Sequence, residues 1–411
     1  MHISPGRTHA GRIRRSLAVA AAGGAIVVAV AVGTGMASGS TATTATVTAA
    51  QLQATVNSAF GTSIQASSLP PLIRTALARA TGSLTPAQIA LAKTCYKSDT
   101  CTVGSGKITL GIADGFGGNS WRQFTRMNVI LQALTYPQIG KIIYTNANAV
   151  LATYESNIRT LVADGAKAIV GYNDFGPSAE PAFAAAQAAG AVVSTYVSGS
   201  TAPASTVSTA VQPDLCTAGK TMAAAAKAAT GSAHPNVAIF SGTPGNPQDA
   251  GWSKCALAAG LTQVFAATTQ WTPAGAFSAA GALITSGKPA QAILYSYSNP
   301  VPQIVKAYTS AHKKIPAIIT WTEDNGTACT WKNKPFPLYW TNSINWPARV
   351  SVTAAMTKLS GGSVPADVLY PFPFFRVTAA NNGCSPSLPA AYPGRSGLLV
   401  PKSLIATVLA G

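Results

Sequence analysis

The sequence predicts an α/β protein made of two doubly wound parallel-sheet lobes. Three observations carry that reading. Short apolar, β-branched runs alternate with segments of helical spacing, a rhythm that forces a parallel sheet with helices on both faces. The rhythm occurs twice, in halves of about 100 residues each. A chain of 411 residues, 47% of them apolar, also has material for two cores.

The N-terminus stands apart from this rhythm. GRTHAGRIRRSLAVAAAGGAIVVAVAVGTGMASGS has four arginines, an apolar stretch and then small residues. This is the layout of an export signal over residues 1–37, cleaved after Ala37 or after Ala42, with Arg14-Arg15 pointing to the twin-arginine variant. The apolar stretch is close to the roughly 20 residues of a membrane span, so an uncleaved anchor is the competing expectation. No cysteine lies near the cleavage region to take a lipid. Residues 38–104 read as a flexible leader, rich in Thr, Ala and Ser as far as 60, followed by two short helices. These are LPPLIRTALARA and TPAQIALAKTCY, the second opening on the cap pair Thr85-Pro86.

Strands follow at KITLGIA, GKIIYTN, AKAIVGYN and AVVSTYV, and again at NVAIFSG, FAATTQW, QAILYSY and PAIITWT. In the helix before the third run, Leu151, Tyr154, Ile158, Leu161 and Val162 fall on one face. The turn after the first strand, GIADGFGGNSWRQF, has the order of a nucleotide-binding loop but not its chemistry. Gly115 and Gly117 fit the first two glycines of a dinucleotide fingerprint, yet Ser120 occupies the third place and the next strand ends without a carboxylate. No cofactor is expected.

Charge and cysteines narrow the setting. Lys and Arg outnumber Asp and Glu by 28 to 11, for a net charge of +17. Loss of Arg7, Arg12, Arg14 and Arg15 with the export signal would leave +13. The basic residues are scattered, with no run beyond Lys313-Lys314. Wall or membrane phosphates are therefore expected neighbours, and nucleic acid is not. Six cysteines suit an oxidising compartment. Of the 15 pairings they allow, we expect Cys95–Cys101, Cys216–Cys255 and Cys329–Cys384. CYKSDTC has no paired histidine, so structural bridges are preferred to zinc.

The carboxylates are few and unevenly placed. Of eleven in the chain, Asp114, Asp174, Glu323 and Asp324 lie at predicted strand ends, and Asp249 follows slightly further on. Helix capping is the bland explanation for Asp249 and Asp174. Phe116, Trp121, Tyr172, Tyr196, Trp252, Tyr297 and Trp321 gather at the same edge. Flat apolar faces beside carboxylates and amides suit a sugar-like molecule, an amine or a heterocycle.

With these residues in view, the run from about 105 to 383 resembles type I periplasmic substrate-binding proteins, in the ribose- and galactofuranose-binding branch of ABC importers. LGIADGFGGNSWRQF is similar to that family's first strand and ligand loop, and NIRTLVADGAKAIVGYN to its strand ending in a ligand-contacting Asn. PDLCTAGKTMAA, VAIFSGTPGNPQDAGW and NWPARVSVTAAM are similar to the second lobe's opening, its glycine-rich loop and a recrossing element. The resemblance implies lobes joined by a three-strand hinge, with crossings near 211–213, 344–346 and 362–365. The first lobe would take 105–211 and 346–363, the second 212–345 and 364–385, with 386–411 as a C-terminal extension. The implied ligand set is Asn119, Trp121, Arg122, Asn173 and Tyr196 from the first lobe, and Trp252, Tyr297, Glu323 and Asn345 from the second. Asp114, Phe116, Asp174 and Asn246 complete the candidate site from the loops already described. Partners implied are a small-molecule ligand and an ABC permease in the membrane, with the protein a monomer outside the cytoplasm.

The chain also departs from the family pattern. Where the sugar binders carry an Asp-Arg pair after the fourth strand, STYVSG places Tyr196 and Val197. Ala250 replaces an expected arginine, and Tyr297 an expected asparagine. These replacements argue against ribose and for a larger or less polar ligand. An enzyme is the rival class. His2 and His9 lie in the export segment, however, and His234 and His312 fall before strands, at the edge opposite the cleft. No G-x-S-x-G elbow occurs. A pair such as Asp114 and Asp174 is the remaining route to glycoside hydrolysis. A repressor of this two-lobed shape would need an N-terminal helix-turn-helix, where the export signal stands. A sensor presenting its ligand to a membrane receptor is the other alternative.

Overall fold

The computed structural model describes residues 47–198, 202–394 and 399–411. The expected export signal, with Arg14, Arg15 and both cleavage positions, lies outside the described residues, as do His2 and His9. Among the described residues no helix is long and apolar enough to cross a membrane.

An N-terminal layer comprises α1 (Ala49–Phe60), α2 (Pro71–Thr81), α3 (Pro86–Tyr96) and β1 (Thr100–Thr102). The first lobe continues with β2 (Ile108–Asp114), α4 (Ser120–Ala133), β3 (Ile139–Asn146), α5 (Leu151–Ala163), β4 (Ala166–Tyr172), α6 (Glu180–Ala188), β5 (Val192–Tyr196) and β6 (Thr209–Pro213). The second lobe holds α7 (Leu215–Thr230), β7 (Asn236–Ser241), α8 (Pro247–Ala258), β8 (Thr262–Thr268), α9 (Pro273–Ser286), β9 (Ala292–Tyr295), α10 (Val301–Ser310), β10 (Ala317–Thr320), α11 (Asn325–Asn333) and β11 (Leu338–Trp340). The chain ends through α12 (Pro347–Leu359), β12 (Asp367–Tyr370), β13 (Phe375–Arg376) and α13 (Lys402–Leu409).

Two sheets result, ordered β1-β3-β2-β4-β5-β6-β12 and β13-β11-β10-β9-β7-β8. In each, the lobe's leading strand (β2 or β7) lies between the next two strands and pairs parallel with both. The order reverses there, and open α/β sheets bind ligands beyond the carboxyl ends of strands at such a switch point. The expected alternation is thus observed in both halves. The predicted run FAATTQW extends past the end of β8, because Gln270 and Trp271 take left-handed φ values of 53° and 50°.

The lobe boundaries differ from expectation at one crossing. Residues 364–385 are expected wholly in the second lobe, yet β12 joins the first sheet. It pairs in parallel with β6, Asp367 opposite Ala210 and Tyr370 opposite Pro213. The Gln212 carboxamide also donates to Asp367 Oδ1 at 2.7 Å. The last change of sheet therefore falls between Tyr370 and Phe375.

From Thr48 onward, the expected flexible leader begins with a helix. Thr48 and Gln51 form a reciprocal capping box, and α1 buries Val56, Ala59 and Phe60. With α2, α3 and α13 it covers helices that would otherwise face water. α12 packs on β4, β5 and β6 on one side and on α2 and α4 on others, so every residue from Pro347 to Met356 is buried. An all-round buried helix must satisfy its polar side chains internally. Arg349 does so by donating to Asn128 Oδ1 at 2.6 Å, Gln132 Oε1 at 3.2 Å and the Leu399 carbonyl at 2.7 Å. Gln132 in turn donates to the Ala76 carbonyl at 3.3 Å, tying α2 into the same network. The expected bridges Cys95–Cys101, Cys216–Cys255 and Cys329–Cys384 all form.

Candidate functional site

The carboxyl ends of both sheets face one cavity of about 40 Å³. Trp121, Tyr172, Trp271, Tyr297 and Trp321 supply aromatic walls. Asn119, Arg122, Gln248, Ser296 and Thr322 are its polar lining, and Val197 and Ile344 complete it. A second chamber of about 20 Å³ lies next to it and shares Trp121, Tyr297 and Thr322 with the first. Glu323, Asp324 and Asn345 border this smaller space.

Arg122 is the electrostatic centre of the first lobe's wall. It projects from the first turn of α4, which Asn119 caps by accepting from the Arg122 amide at 3.0 Å. Its guanidinium meets Asp114 Oδ1 at 3.3 Å and Asp174 Oδ1 at 2.5 Å, and lies 3.8 Å from the centre of the Tyr172 ring. All of this is buried, Arg122 at 3% and Asp174 at 6% exposure. Burial pushes the Asp174 carboxyl up to about 6, against the lowering pull of Arg122 and with a smaller raising contribution from Asp114. The glycine turn makes the cluster possible, since a Cβ on Gly115 would collide with Asp174 Oδ2. The loop that resembles a nucleotide fingerprint thus gives a carboxylate close access to the backbone.

The indole groups present faces, not donors, to the cavity. Trp121 Nε1 donates to the Ser343 carbonyl at 2.7 Å, Trp271 Nε1 to Ser296 Oγ at 3.0 Å, and Trp321 Nε1 to the Met222 sulfur at 3.2 Å. Side-chain contacts cross between the lobes. Tyr172 donates to Gln248 Oε1 at 2.6 Å, and the Ser120 and Tyr297 hydroxyls lie 3.3 Å apart. Gln248 is 4% exposed and lines the larger cavity. The crossing at 341–346 clasps Trp121 as well, because Asn345 Nδ2 donates to its carbonyl at 3.0 Å.

Backbone strain concentrates here. Val197, Trp271, Thr322 and Ile344 all line the cavity with φ of 62°, 50°, 62° and 44°. A left-handed conformation is costly for any residue with a Cβ and most so for β-branched ones, on the order of 1–3 kcal/mol each. Such strain is retained where surrounding contacts impose it, and it gathers at ligand sites. Gly242 relieves one conflict, since a Cβ there would run into the Trp271 ring.

Of the residues expected from sequence, Asn119, Trp121, Arg122 and Tyr297 line the larger cavity, and Trp121, Tyr297, Glu323 and Asn345 the smaller. Others stand behind these walls. Asp114 and Asp174 hold Arg122. Tyr196 packs edge-on to Tyr172 at 6.2 Å, and Trp252 lies 6.4 Å from Trp321 while donating to Asp249 Oδ1. The Asn173 carboxamide donates to the Gly176 carbonyl, and Phe116 donates its amide to Asp114. Capping falls to Asn246 on α8 and Asp324 on α11, not to Asp249 or Asp174. Gln248, Trp271, Ser296, Thr322, Val197 and Ile344 were not in the candidate set. Trp271 follows β8 closely enough that the strand-end rule would have reached it.

The comparisons agree with this architecture. The profile of the periplasmic binding protein domain family matches residues 112–362. The chain belongs to that family, and its two parallel-sheet lobes have the type I arrangement. No curated protein sequence matches it. Solved structures with the same fold include an ABC transporter solute-binding protein from Mycobacterium smegmatis with bound glycerol (TM-score 0.60, 15% identity, 67% of this chain and 96% of that one). A glucose-galactose binding protein from Geobacillus stearothermophilus aligns at TM-score 0.58 and 14% identity, over 66% of this chain and 98% of its own. An ABC transporter solute-binding protein from Thermobispora bispora aligns at 0.58 and 20% identity, over 74% and 97%.

Proposed function

We propose that this chain is an extracytoplasmic solute-binding protein that captures a sugar or sugar-like small polar molecule between its lobes and delivers it to an ABC-type importer. The observation that carries this reading is the aromatic-walled cavity at the carboxyl ends of both sheets, framed by four strained residues. Ring faces stack on the ligand's C–H surface, while Asn119, Arg122 and Gln248 bond its polar edge. The ligand shifts a balance between parted and closed lobes by adding contacts that exist only when Tyr172 meets Gln248 and Tyr297 meets Ser120. The closed form is the one the permease engages. Glycerol in one structural relative and arabinofuranose in another, from Shewanella, support a polyol or sugar as cargo.

The protein works without catalysis and as an exported monomer. Asp114 and Asp174 both pair with Arg122, which supports a structural role for these carboxylates over a hydrolytic one. His234 meets the Gly260 carbonyl ahead of β7, at the edge away from the cavity. A thermal-shift panel of sugars, polyols, nucleosides and amines tests the reading. A true ligand at 100 times its Kd stabilises by about 2.7 kcal/mol and raises the melting temperature by several degrees. Flat profiles across the whole panel would count against solute capture.

A further inference from the structure

The smaller chamber has a wall that the family profile does not reach. The match ends at residue 362, yet Ala391 and Pro393 line this chamber together with Trp121 and Tyr297. We propose that residues 385–394 are a specificity-setting strap, which limits the hinge-side end of the ligand to one small donor-bearing group such as a hydroxymethyl or aminomethyl. The inference rests on the solute-capture reading and specifies what that site admits.

The strap is held in place along its whole length. Cys384 is bonded to Cys329 of α11 at its start. Next, the Asn325 carboxamide serves it from both ends, Oδ1 accepting from the Ser385 amide at 2.8 Å and Nδ2 donating to the carbonyls of Ser385 at 3.0 Å and Leu388 at 2.8 Å. The Asn325 and Gly326 amides donate to the carbonyls of Tyr392 at 3.0 Å and Ala390 at 2.8 Å. At its end, the Gly394 amide reaches the Glu323 carbonyl at 3.2 Å and Ser343 Oγ at 3.3 Å. A Cβ on Gly394 would collide with the Glu323 side chain, so the glycine lets the strap close tightly over that carboxylate. Ser343 is also the residue whose carbonyl holds Trp121, the partition between the two chambers.

So many fixings on a segment without helix or strand leave it little freedom to yield to a ligand. Size and chemistry then define what fits. About 20 Å³ admits a group of roughly one or two water-sized units. Of the two carboxylates at its border, Asp324 already accepts from the Thr327 amide and the Ser298 hydroxyl. Ser298, Asn299, Glu323 and Asn345 complete a polar border whose oxygens favour a donor over an apolar group.

Paired sugars that differ by one hydroxymethyl read this directly: D-glucose against D-xylose, and D-galactose against L-arabinose. Calorimetry on the intact chain is expected to favour the hydroxymethyl-bearing member of a pair. Ala391 takes part in none of the hydrogen bonds just described, so Ala391→Leu narrows the chamber while keeping them, and should weaken that member at least tenfold with a smaller effect on the shorter sugar. Asn325→Ala releases the strap and should narrow the gap between members, admitting bulkier methyl glycosides. Melting of each variant without sugar checks that it folds. Identical sugar profiles for the unaltered chain and Ala391→Leu would overturn the proposal. Silence of the unaltered chain toward every sugar would instead be a failure of solute capture itself.

Discussion

Arg122→Met is expected to lower the free energy of unfolding by about 3–5 kcal/mol, measured by urea denaturation, and to abolish ligand binding. Methionine preserves much of the packing against Tyr172 and Trp121, so the loss isolates the charge. Without the guanidinium, Asp114 and Asp174 face each other in a buried site, and Asp174 Oδ2 already has no hydrogen-bond partner. An uncompensated buried charge is the costly outcome, more so than the net worth of the pair. Asp174→Asn in the methionine background should therefore return part of the stability. Asp174→Asn alone should cost much less, because burial already favours the neutral carboxyl that asparagine imitates. A loss below about 1 kcal/mol for Arg122→Met would show that water reaches the cluster.

Arg349→Leu should cost a similar amount, at least about 3 kcal/mol, through a different mechanism. Among the described residues no carboxylate pairs with this arginine. Its partners are the neutral oxygens of Asn128, Gln132 and Leu399, and the first two would be left buried without this donor. A stranded acceptor costs on the order of 1–3 kcal/mol. The consequences should spread unequally. Leu399 leads into α13, which packs on α3 and α4, so hydrogen exchange should accelerate in α13 and the N-terminal layer before it does in the second lobe. Uniform acceleration would argue that the covering layer and the lobes unfold as one unit.

Sequence reasoning succeeded where a single local rule decides the outcome. The strands of both lobes could be read because short β-branched runs between helical segments have few other uses in a parallel sheet. Trp121 and Tyr297 were accessible for the same reason, as they follow strand ends. The role of the carboxylates was not. Their concentration at one sheet edge was visible, but whether Asp174 faces ligand or Arg122 depends on how closely the 115 turn approaches residue 174. Trp271 and Thr322 were hidden by backbone angles that no propensity scale assigns to such residues. The C-terminal strap had no periodic pattern at all, and its course follows from Asn325, whose carboxamide bonds are visible only in three dimensions.

Solute lying between the lobes can be seen by crystallography of the chain with the most stabilising solute of the panel. Density for that solute is expected in the cavity, stacked on Trp121 or Trp271 and within hydrogen-bond reach of Asn119, Arg122 or Gln248. Solute bound only on an outer face, with that cavity empty, would contradict capture between the lobes.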